Sequence, residues 1–264
     1  MLGTVKRLLP RKLKVALRDC RTWVVERRLE KNSGYCVICE ADTVFLIHDP
    51  WLRDFYKCRR CKTIPRNRAL INALNRFVPE WRTLSIHESS PGSVTSRFLN
   101  RSCSGYSTSH YYPDVPRGEY SGQHRSEDLS ALTFPDHSFD VFITADVFEH
   151  VYKPAQAFSE IARVLKPGGM HIFTMPWYPE NKETLQRAQL NADGSVSHLV
   201  DAVYHESPID DEGSLVTFDW GSDFTDFIYA KSGLVTTVYL EIDRSKGLDA
   251  KFLEVFISRK SSIG

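Results

Sequence analysis

The alternation of apolar and polar residues is most informative between residues 139 and 176, where two apolar runs enclose a helical repeat. The run from Phe139 to Thr144 has the length and apolar content of a buried parallel strand. Apolar residues then recur at helical spacing from Ala155 to Leu165, and the Lys-Pro-Gly-Gly sequence at 166–169 is expected to end this helix. His171 to Met175 supplies the next strand. This order predicts a parallel crossover, and therefore an α/β fold.

The same kind of pattern predicts further elements on both sides of this region. Residues 66–77 have the spacing of an amphipathic helix. Residues 224–232 predict another helix, which ends at Gly233. Two strand-like segments, 234–242 and 252–260, follow it and are expected to form an antiparallel pair that completes the sheet.

Four of the six cysteines form two Cys-x-x-Cys pairs, Cys36 with Cys39 and Cys58 with Cys61. This spacing is typical of a zinc ribbon, in which four thiolates hold one ion tetrahedrally. Four sulfur ligands leave no coordination position for water, so the predicted zinc is structural rather than catalytic. Two disulfides are the alternative interpretation. Because no export signal is recognised, a reducing compartment and zinc are favoured.

The length of the chain suits one main domain, and its charged residues are distributed unevenly along the sequence. Its 264 residues suffice for one sizeable α/β domain with a small appendage. Residues 1–82 hold 19 Lys and Arg against 8 Asp and Glu, whereas the rest holds 15 against 25. This asymmetry indicates a basic surface that faces an anionic partner, although a solvated basic face gives the same counts. We predict a basic helical segment (1–33), a zinc ribbon (34–65) and an α/β domain (66–264).

Membrane and export signals are not found in the sequence. No apolar run reaches the roughly 18 residues that a membrane-spanning helix needs. The first residues lack the apolar core and cleavage site of a secretory signal, so we expect a cytoplasmic location. The basic N-terminal segment could contact lipid headgroups at a membrane surface, although packing on its own domain is favoured.

Two longer segments resemble a known family. FPDHSFDVFITADVFEHV and EIARVLKPGGMHIFTMP, within a continuous match from Asp128 to Pro176, resemble class I methyltransferases that use S-adenosylmethionine (SAM). The resemblance implies a Rossmann-like fold with a mostly parallel seven-stranded sheet, and SAM as the methyl donor. The segments IHESSPGS and YSTSHYYPDVPRG and the cysteine pairs further resemble a bacterial subgroup with an N-terminal zinc knuckle.

The resemblance also implies where the cofactor binds. The turn after the first strand, residues 83–87, corresponds to the family's cofactor loop, and an ordinary capped connection is the alternative. Ser90 followed by Pro91 predicts a helix start whose free amides could receive the SAM carboxylate. The expected cofactor-binding residues are Glu88 toward the ammonium group, Ser89, Ser90 and Gly92 in the loop, His110 beside the ribose, Asp128 and Leu129 at the adenine, and Asp146.

The candidate catalytic residues follow the fourth strand, at the edge where ligands collect in such sheets. Methyl transfer requires in-line alignment, and a hydroxyl acceptor also requires a base. Among Asp146, Glu149 and His150, we expect His150 to be the base, with a packing role under the cofactor as an equal alternative. His205 is the second candidate, and Asp146 is also considered catalytic. Residues 177–219 are expected to fold over the site as a substrate cap.

Three functions agree with these patterns. We favour a methyltransferase that acts on a small molecule, such as a sugar or a secondary-metabolite precursor. An RNA methyltransferase is the first alternative because the N-terminal part is basic, although no Pro-Pro-Tyr-like sequence follows the fourth strand. A non-catalytic binding protein is the other, because the predicted cofactor loop contains a single glycine.

Overall fold

The computed structural model describes residues 28–205 and 213–262. Most of the predicted basic N-terminal segment lies outside these residues, as do residues 206–212 of the predicted cap. No helix within the two described ranges is long and apolar enough to cross a membrane.

Strands and helices alternate through most of the described chain. The strands are β1 Glu30–Cys36, β2 Ala41–Ile47, β3 Tyr56–Cys58, β4 Ser85–Ser89, β5 Gly105–His110, β6 Tyr120–Ser121, β7 His124–Ser126, β8 Phe139–Ala145, β9 Leu165–Thr174, β10 Leu185–Gln186, β11 Ala188–Leu190, β12 Val196–His198, β13 Tyr204–His205, β14 Ser214–Leu215, β15 Phe218–Asp219, β16 Val235–Tyr239 and β17 Val255–Arg259. The helices are α1 Leu52–Phe55, α2 Pro65–Phe77, α3 Val94–Ser102, α4 Pro154–Val164 and α5 Phe224–Ser232. Short 3-10 turns cover Trp81–Thr83 and Arg244–Lys246.

Eight strands form the central sheet in the spatial order β16, β17, β9, β8, β4, β5, β7, β6. The four pairings from β9 to β7 are parallel. At one edge β17 and β16 are antiparallel, as predicted for the end of the chain. At the other edge the two-residue strand β6 pairs antiparallel with β7. The sheet is therefore mixed, and it has one short edge strand more than the seven expected.

Strand β8 lies in the middle of the sheet because it is apolar on both faces. Val141 and Ile143 pack in the core beside α2 and α3, whereas Phe142 packs in the core beside α4 and α5. In the core beside α4 and α5, the rings of Phe148 and Phe158 stack with centroids 4.0 Å apart. The predicted strand at 139–144 is confirmed and extends by one residue.

The predicted helix does end just before Lys-Pro-Gly-Gly, but these four residues do not form a helix cap. Helix α4 ends at Val164, and Leu165 already pairs with Phe139 of β8, so residues 166–169 belong to an irregular part of β9. Gly169 allows this path, because a Cβ at this position would lie 3.0 Å from the carbonyl oxygen of Asp140. Gly168 has a left-handed backbone with φ 79°. These glycines shape a bulge rather than a helix cap.

The N-terminal strands β1, β2 and β3 form a separate antiparallel sheet that packs on the main domain. Its closest link is Arg68 of α2, which is 1% exposed. The Arg68 guanidinium lies 4.7 Å from the centre of the Phe45 ring, and its Nη2 donates to the carbonyl oxygens of Tyr56 (3.0 Å) and Gly247 (2.6 Å). One side chain thus joins the small sheet to a turn near the end of the chain.

The predicted cap contains more regular structure than expected. Within 177–205 and 213–219 the backbone forms three two-stranded ribbons, β10 with β15, β11 with β12 and β13 with β14. Helix α5 follows and ends at Gly233, whose φ of 70° is left-handed, as predicted. The cap segment therefore leaves β9 and returns to the domain just before α5.

Candidate active site

The carboxyl ends of the parallel strands reach the same level of the sheet. Ser89 at the end of β4 is opposite Ser109 of β5 and Thr144 of β8, and Ala145 is opposite Thr174 of β9. The turns that follow these strands are therefore neighbours, as they are at ligand sites of open α/β sheets. The predicted site residues in or beside these turns are those at 88–92, 110, 128–129 and 146–150.

The turn after β4 has an unusual backbone. Ser90 is left-handed, with φ 59°, a conformation that is strained for a residue with a Cβ. Its N–H donates to the carbonyl oxygen of Ser109 at 2.8 Å, which links the turn to the end of β5. Of the neighbouring predicted residues, Ser89 is buried and Gly92 is exposed. The exposed part of the turn faces away from the core.

Helix α3 begins three residues later than predicted. Its N-cap is Ser93, whose hydroxyl accepts from the N–H groups of Thr95 at 3.0 Å and Ser96 at 3.3 Å. The Ser96 hydroxyl in turn accepts from the Ser93 N–H at 3.4 Å, which completes a capping box. The expectation that Ser90 caps the helix and Pro91 begins it is wrong, because Ser90 forms the left-handed turn. A ligand carboxylate that uses these amides has to displace a serine hydroxyl.

Glu88 lies beneath this turn and is 2% exposed. One of its carboxylate oxygens accepts from the Ser96 hydroxyl at 3.0 Å, and the other accepts from the Tyr106 phenol. Burial raises the pKa of Glu88 to about 7, against the opposing effect of these two hydrogen bonds. The carboxyl group supports the turn from below, and its predicted contact with a ligand ammonium stays a prediction.

His110 ends β5 beside the same turn. Its buried ring packs edge-on against His124, with centroids 4.7 Å apart. Burial lowers the pKa of His110 to about 4, His124 acts in the same direction, and a hydrogen bond with the Pro91 backbone opposes them. The Nδ1 atom is buried without a hydrogen-bond partner among the described residues. The ring is therefore neutral, contacts the predicted cofactor loop and has one unused polar atom.

Asp128 and Leu129 lie one turn further along the sheet edge. The N–H of Glu127 donates to the His110 carbonyl at 2.9 Å, which brings this turn beside β5. Asp128 Oδ1 accepts from the N–H of Ser130 at 2.8 Å and from its hydroxyl at 2.7 Å, while Leu129 is buried. The aspartate thus shapes its own turn with one oxygen, and its contact with adenine stays a prediction.

Asp146 is held by the N-terminal part of the chain, which the sequence did not indicate. Like Ser90 it is left-handed, with φ 54°. Its Oδ2 is 2.7 Å from Arg53 Nη2 and 2.9 Å from Arg66 Nε, and its Oδ1 accepts from the Thr174 hydroxyl at 2.9 Å. Burial alone would raise the pKa of Asp146, but the two arginines outweigh it and hold the pKa below its ordinary value. The carboxylate is therefore ionised and paired.

Glu149 was named with Asp146 and His150 in the sequence analysis, but no role was predicted for it. It is 1% exposed, and neither carboxylate oxygen has a hydrogen-bond partner among the described residues. Burial raises the pKa of Glu149 to about 8, and the negative charge of Asp146 adds to the effect. A buried, unpaired carboxyl is unfavourable in a folded protein. Its position three residues after Asp146 was the available signal, but its burial could not be read from the sequence.

The two predicted histidines meet beside this glutamate. The rings of His150 and His205 are edge-on with centroids 5.1 Å apart. His150 Nδ1 lies 2.9 Å from the Leu215 carbonyl oxygen, which can only accept, so Nδ1 carries the proton and Nε2 has the lone pair. Burial lowers the pKa of both histidines, despite the favourable charge of Asp146. Both rings are therefore predominantly neutral near neutral pH.

A cavity of about 220 Å³ opens next to this cluster. Its polar wall includes Glu149 and His205, and also Arg187, which pairs with Asp219 at 2.5 Å. Tyr178 and Asn181 from the cap complete that wall. The cavity thus lies between the turn after β8 and the predicted cap, where the expected acceptor site lies.

The four predicted zinc ligands converge at the tip of the small sheet. The Sγ atoms of Cys36 and Cys61 are 3.7 Å apart, and so are those of Cys39 and Cys58. A disulfide requires about 2.05 Å. Four sulfurs at about 2.3 Å from one tetrahedral ion are about 3.8 Å from one another. The geometry therefore fits a metal ion and does not fit two disulfides.

Comparison with known families agrees with this arrangement. Residues 91–173 match a family model described as "Methyltransferase domain", and they run from the loop after β4 into β9. This part of the chain, about a third of its length, is therefore similar to that family. The mixed sheet with its parallel centre is Rossmann-like.

The individual proteins to which this chain is similar are distant. A stretch of 52 residues is 42% identical to a Mycolicibacterium smegmatis protein named "Probable S-adenosylmethionine-dependent methyltransferase", and it covers 20% of this chain and 20% of that protein. A SAM-dependent methyltransferase from Mesorhizobium loti is similar over 73% of this chain and 98% of its own, with 17% identity and a TM-score of 0.49. The amino pentose methyltransferase CalS10 from Micromonospora echinaspora is similar over 74% and 90%, with 11% identity and a TM-score of 0.47.

Proposed function

We propose that the protein transfers a methyl group from SAM to a small-molecule acceptor, such as a sugar or a secondary-metabolite precursor. The observation that carries this proposal is the common edge of the sheet. There the turn after β4, the neutral ring of His110 and the Asp128 turn lie side by side, and a cavity lies next to the turn after β8. This is the arrangement that a cofactor and an adjacent acceptor require.

The cofactor half of the site consists of the first three turns. SAM, when bound, supplies the electrophilic methyl group. Ser89, Ser90 and Gly92 would surround its methionine part, with Glu88 below them. The unpartnered Nδ1 of His110 would meet a ribose hydroxyl, while Leu129 would pack beside the adenine and Asp128 would accept from its amino group.

The acceptor half consists of the turn after β8 and the cap. The cavity of about 220 Å³ suits a group the size of a sugar ring, and the Arg187–Asp219 pair offers hydrogen-bonding groups at its wall. His150 has an available lone pair on Nε2 and could remove a proton from an acceptor hydroxyl, and His205 is the second candidate. For Asp146 we now propose a positioning role, because its carboxylate is already paired with two arginines.

We also propose that Cys36, Cys39, Cys58 and Cys61 hold a structural zinc ion. Two sulfur–sulfur distances of 3.7 Å support this, since they match the edge of a tetrahedral site. The ion would hold β1 and β3 together at the tip of the small sheet, and Arg53 lies on α1 in the connection from β2 to β3. The ribbon therefore has an indirect part in the active site.

Calorimetric titration with SAM and with S-adenosylhomocysteine tests the cofactor assignment. Asp128→Asn is the informative variant, because the asparagine oxygen can still accept from Ser130 while the negative charge is lost. We expect SAM affinity to fall about 10-fold to 100-fold, the usual effect of losing a hydrogen bond to a charged group. His198→Ala, an exposed change on β12, is the control and should bind normally. Absence of binding by the unaltered protein at millimolar SAM would favour the non-catalytic alternative.

The RNA methyltransferase alternative is tested separately. A cavity of about 220 Å³ suits a small acceptor better than a base within a long polymer, but basic residues are frequent at 59–68, around the second cysteine pair and after it. Electrophoretic shift with a structured RNA at two salt concentrations distinguishes the two. A salt-sensitive complex in the micromolar range would support RNA, because phosphate contacts release counterions. We expect no such complex.

A further inference from the structure

The cluster around Glu149 lacks a positive partner. Both of its carboxylate oxygens are buried and have no hydrogen-bond partner within the described chain, and the residue forms part of a cavity wall. Arg53 and Arg66 lie nearby, yet each directs a nitrogen atom to Asp146, and their Nη1 atoms contact the Phe252 carbonyl and Asp54. Buried charges in proteins are paired or bind metals. A cation supplied from outside would complete the site.

Two imidazoles provide further ligand atoms at this carboxylate. His150 Nε2 is 3.9 Å from Glu149 Oε1, and one ligand atom of each of Glu149, His150 and His205 lies within 4.8 Å of the others. Two ligand atoms of a tetrahedral zinc ion, each about 2.1 Å from it, are about 3.4 Å apart. The first pair is slightly wider than this, and a small side-chain rotation would close the difference. His205 is exposed on β13 and can approach by rotating its side chain.

The surroundings orient these groups as they do in metal sites. His150 donates its Nδ1–H to the Leu215 carbonyl, so Nε2 is the atom that faces Glu149. A metal-binding histidine typically makes such a bond with its other nitrogen. The Glu149 carbonyl accepts from the Thr217 N–H at 2.6 Å and from its hydroxyl at 3.0 Å, which fixes the backbone of the turn.

We propose that Glu149, His150 and His205 form a second metal site, which binds a divalent transition metal ion and for which Zn²⁺ is the best candidate. Two histidines and one carboxylate suit zinc or ferrous iron. Unlike the four-cysteine site, this set leaves a coordination position open toward the cavity. That position can take water or, resting on the proposed function, a hydroxyl oxygen of the acceptor. The ion would then occupy the His150 lone pair and replace that ring as the group that activates the acceptor.

Metal counting tests this proposal without reference to methyl transfer. The tag-free full-length protein is stripped with a chelator, reloaded with excess Zn²⁺, desalted and measured by inductively coupled plasma mass spectrometry. We expect Glu149→Gln and His205→Ala each to hold one zinc equivalent less than the unaltered protein. The difference is expected whether or not the cysteines hold their own ion. His198→Ala, another exposed cap histidine, should show no loss.

Affinity and spectra provide the second measurement. Titration of the stripped protein with Co²⁺ should show weak visible bands from nitrogen and oxygen ligands, separate from the intense near-ultraviolet bands of thiolate ligands. Glu149→Gln should weaken the nitrogen and oxygen class by more than about 100-fold, which exceeds the usual effect of losing an outer-sphere partner. The thiolate class should remain unchanged.

The proposal is overturned if the unaltered protein, Glu149→Gln and His205→Ala have the same metal content. This result would mean either that no second equivalent binds or that it persists in both variants. SAM binding is measured on the same samples, so a protein that binds SAM but not the second ion refutes only the metal site, and the converse refutes only the proposed cofactor.

Discussion

The turns after β4 and β8 have a similar construction but differ in completeness. Each contains a left-handed residue, Ser90 with φ 59° and Asp146 with φ 54°, and each has a buried glutamate close by. Both oxygens of Glu88 accept from hydroxyl groups. Neither oxygen of Glu149 has a partner among the described residues. The first glutamate is paired with neighbouring side chains, whereas the described residues leave the second without a hydrogen-bond partner.

The two turns also differ in what supports them. The first is supported by α3, which follows it directly in the sequence, through Ser93 and Ser96. The second is supported by Arg53 and Arg66, which come from a different part of the chain. Local sequence therefore determines the first turn, and tertiary structure determines the second.

The pH dependence of stability should show the largest difference between the turns. The pKa of Glu149 is raised from 4.5 to about 8, so between these values the folded protein keeps a proton that the unfolded chain has lost. The free energy of unfolding should thus fall by up to about 1.4 kcal/mol per pH unit as the pH rises through this window. Urea unfolding of the metal-free protein at about pH 5 and about pH 8 measures the fall. Glu149→Gln should reduce it, and an unchanged fall would contradict the burial of an unpaired carboxyl.

Loss of Arg53 should lower the stability of the protein nearly as much as the rise in pH does. Arg53→Met leaves the partly buried carboxylate of Asp146 with a single arginine partner, and it also removes a donor to the Phe252 carbonyl at 2.6 Å. Because Arg53 itself is buried, we expect the free energy of unfolding to fall by about 3 kcal/mol, the lower end of the usual loss when a buried ion pair loses one member. The control is Arg82→Met, which removes a surface pair with Glu40 and should cost less than about 1 kcal/mol. Equal losses for the two variants would show that the second turn does not depend on Arg53.

Matched glutamine substitutions compare the two glutamates directly. Glu88→Gln keeps one acceptor oxygen but faces the Ser96 or Tyr106 hydroxyl with an amide donor, so it should cost about 1 to 2 kcal/mol at about pH 8. Glu149→Gln loses no hydrogen bond and removes an unpaired buried charge. In the metal-free protein it should be neutral or stabilising. Chemical denaturation measures both changes in the free energy of unfolding. A larger loss for Glu149→Gln than for Glu88→Gln would mean that the roles of the two residues were assigned incorrectly.

The smallest effect is expected at Ser90. Glycine adopts the left-handed conformation without the strain of a Cβ, so Ser90→Gly should change the free energy of unfolding by less than about 1 kcal/mol. Ser90→Val should destabilise the protein clearly, because a β-branched residue is poorly tolerated there. Thermal unfolding checks the pair. Tolerance of valine would contradict the observed backbone of the turn.

Much of the fold was predictable because it depends on local patterns. The strand at 139–144, the helix that ends at Gly233 and the antiparallel end of the sheet follow from apolar spacing and a single glycine. The edge strand β6 was not predicted, since two residues carry no periodicity. The Lys-Pro-Gly-Gly sequence was misinterpreted because the same glycines that cap helices also permit a bulge in β9.

The active site was predictable to a lesser extent. Spacing brought the four cysteines together correctly, and the resemblance placed His110, Asp128 and Asp146 at one edge. Motifs gave no indication that Arg53 contacts Asp146, because 93 residues separate them. The burial of Glu149 without a partner among the described residues could not be predicted either, since it is a property of the packed site and not of the sequence around it.

The position of Arg68 has a consequence for synthesis on the ribosome. Its guanidinium donates a hydrogen bond to the carbonyl oxygen of Gly247, 179 residues later in the chain. The ribbon leaves the exit tunnel early, but its packing contacts with the main domain are complete only when the last strands have been synthesised. Until then, the exposed inner face of the ribbon, with its cysteines, is available to chaperones, oxidants and competing metals. A ribbon whose packing on the main domain is completed last would make the proposed metal loading a late event in the maturation of this protein.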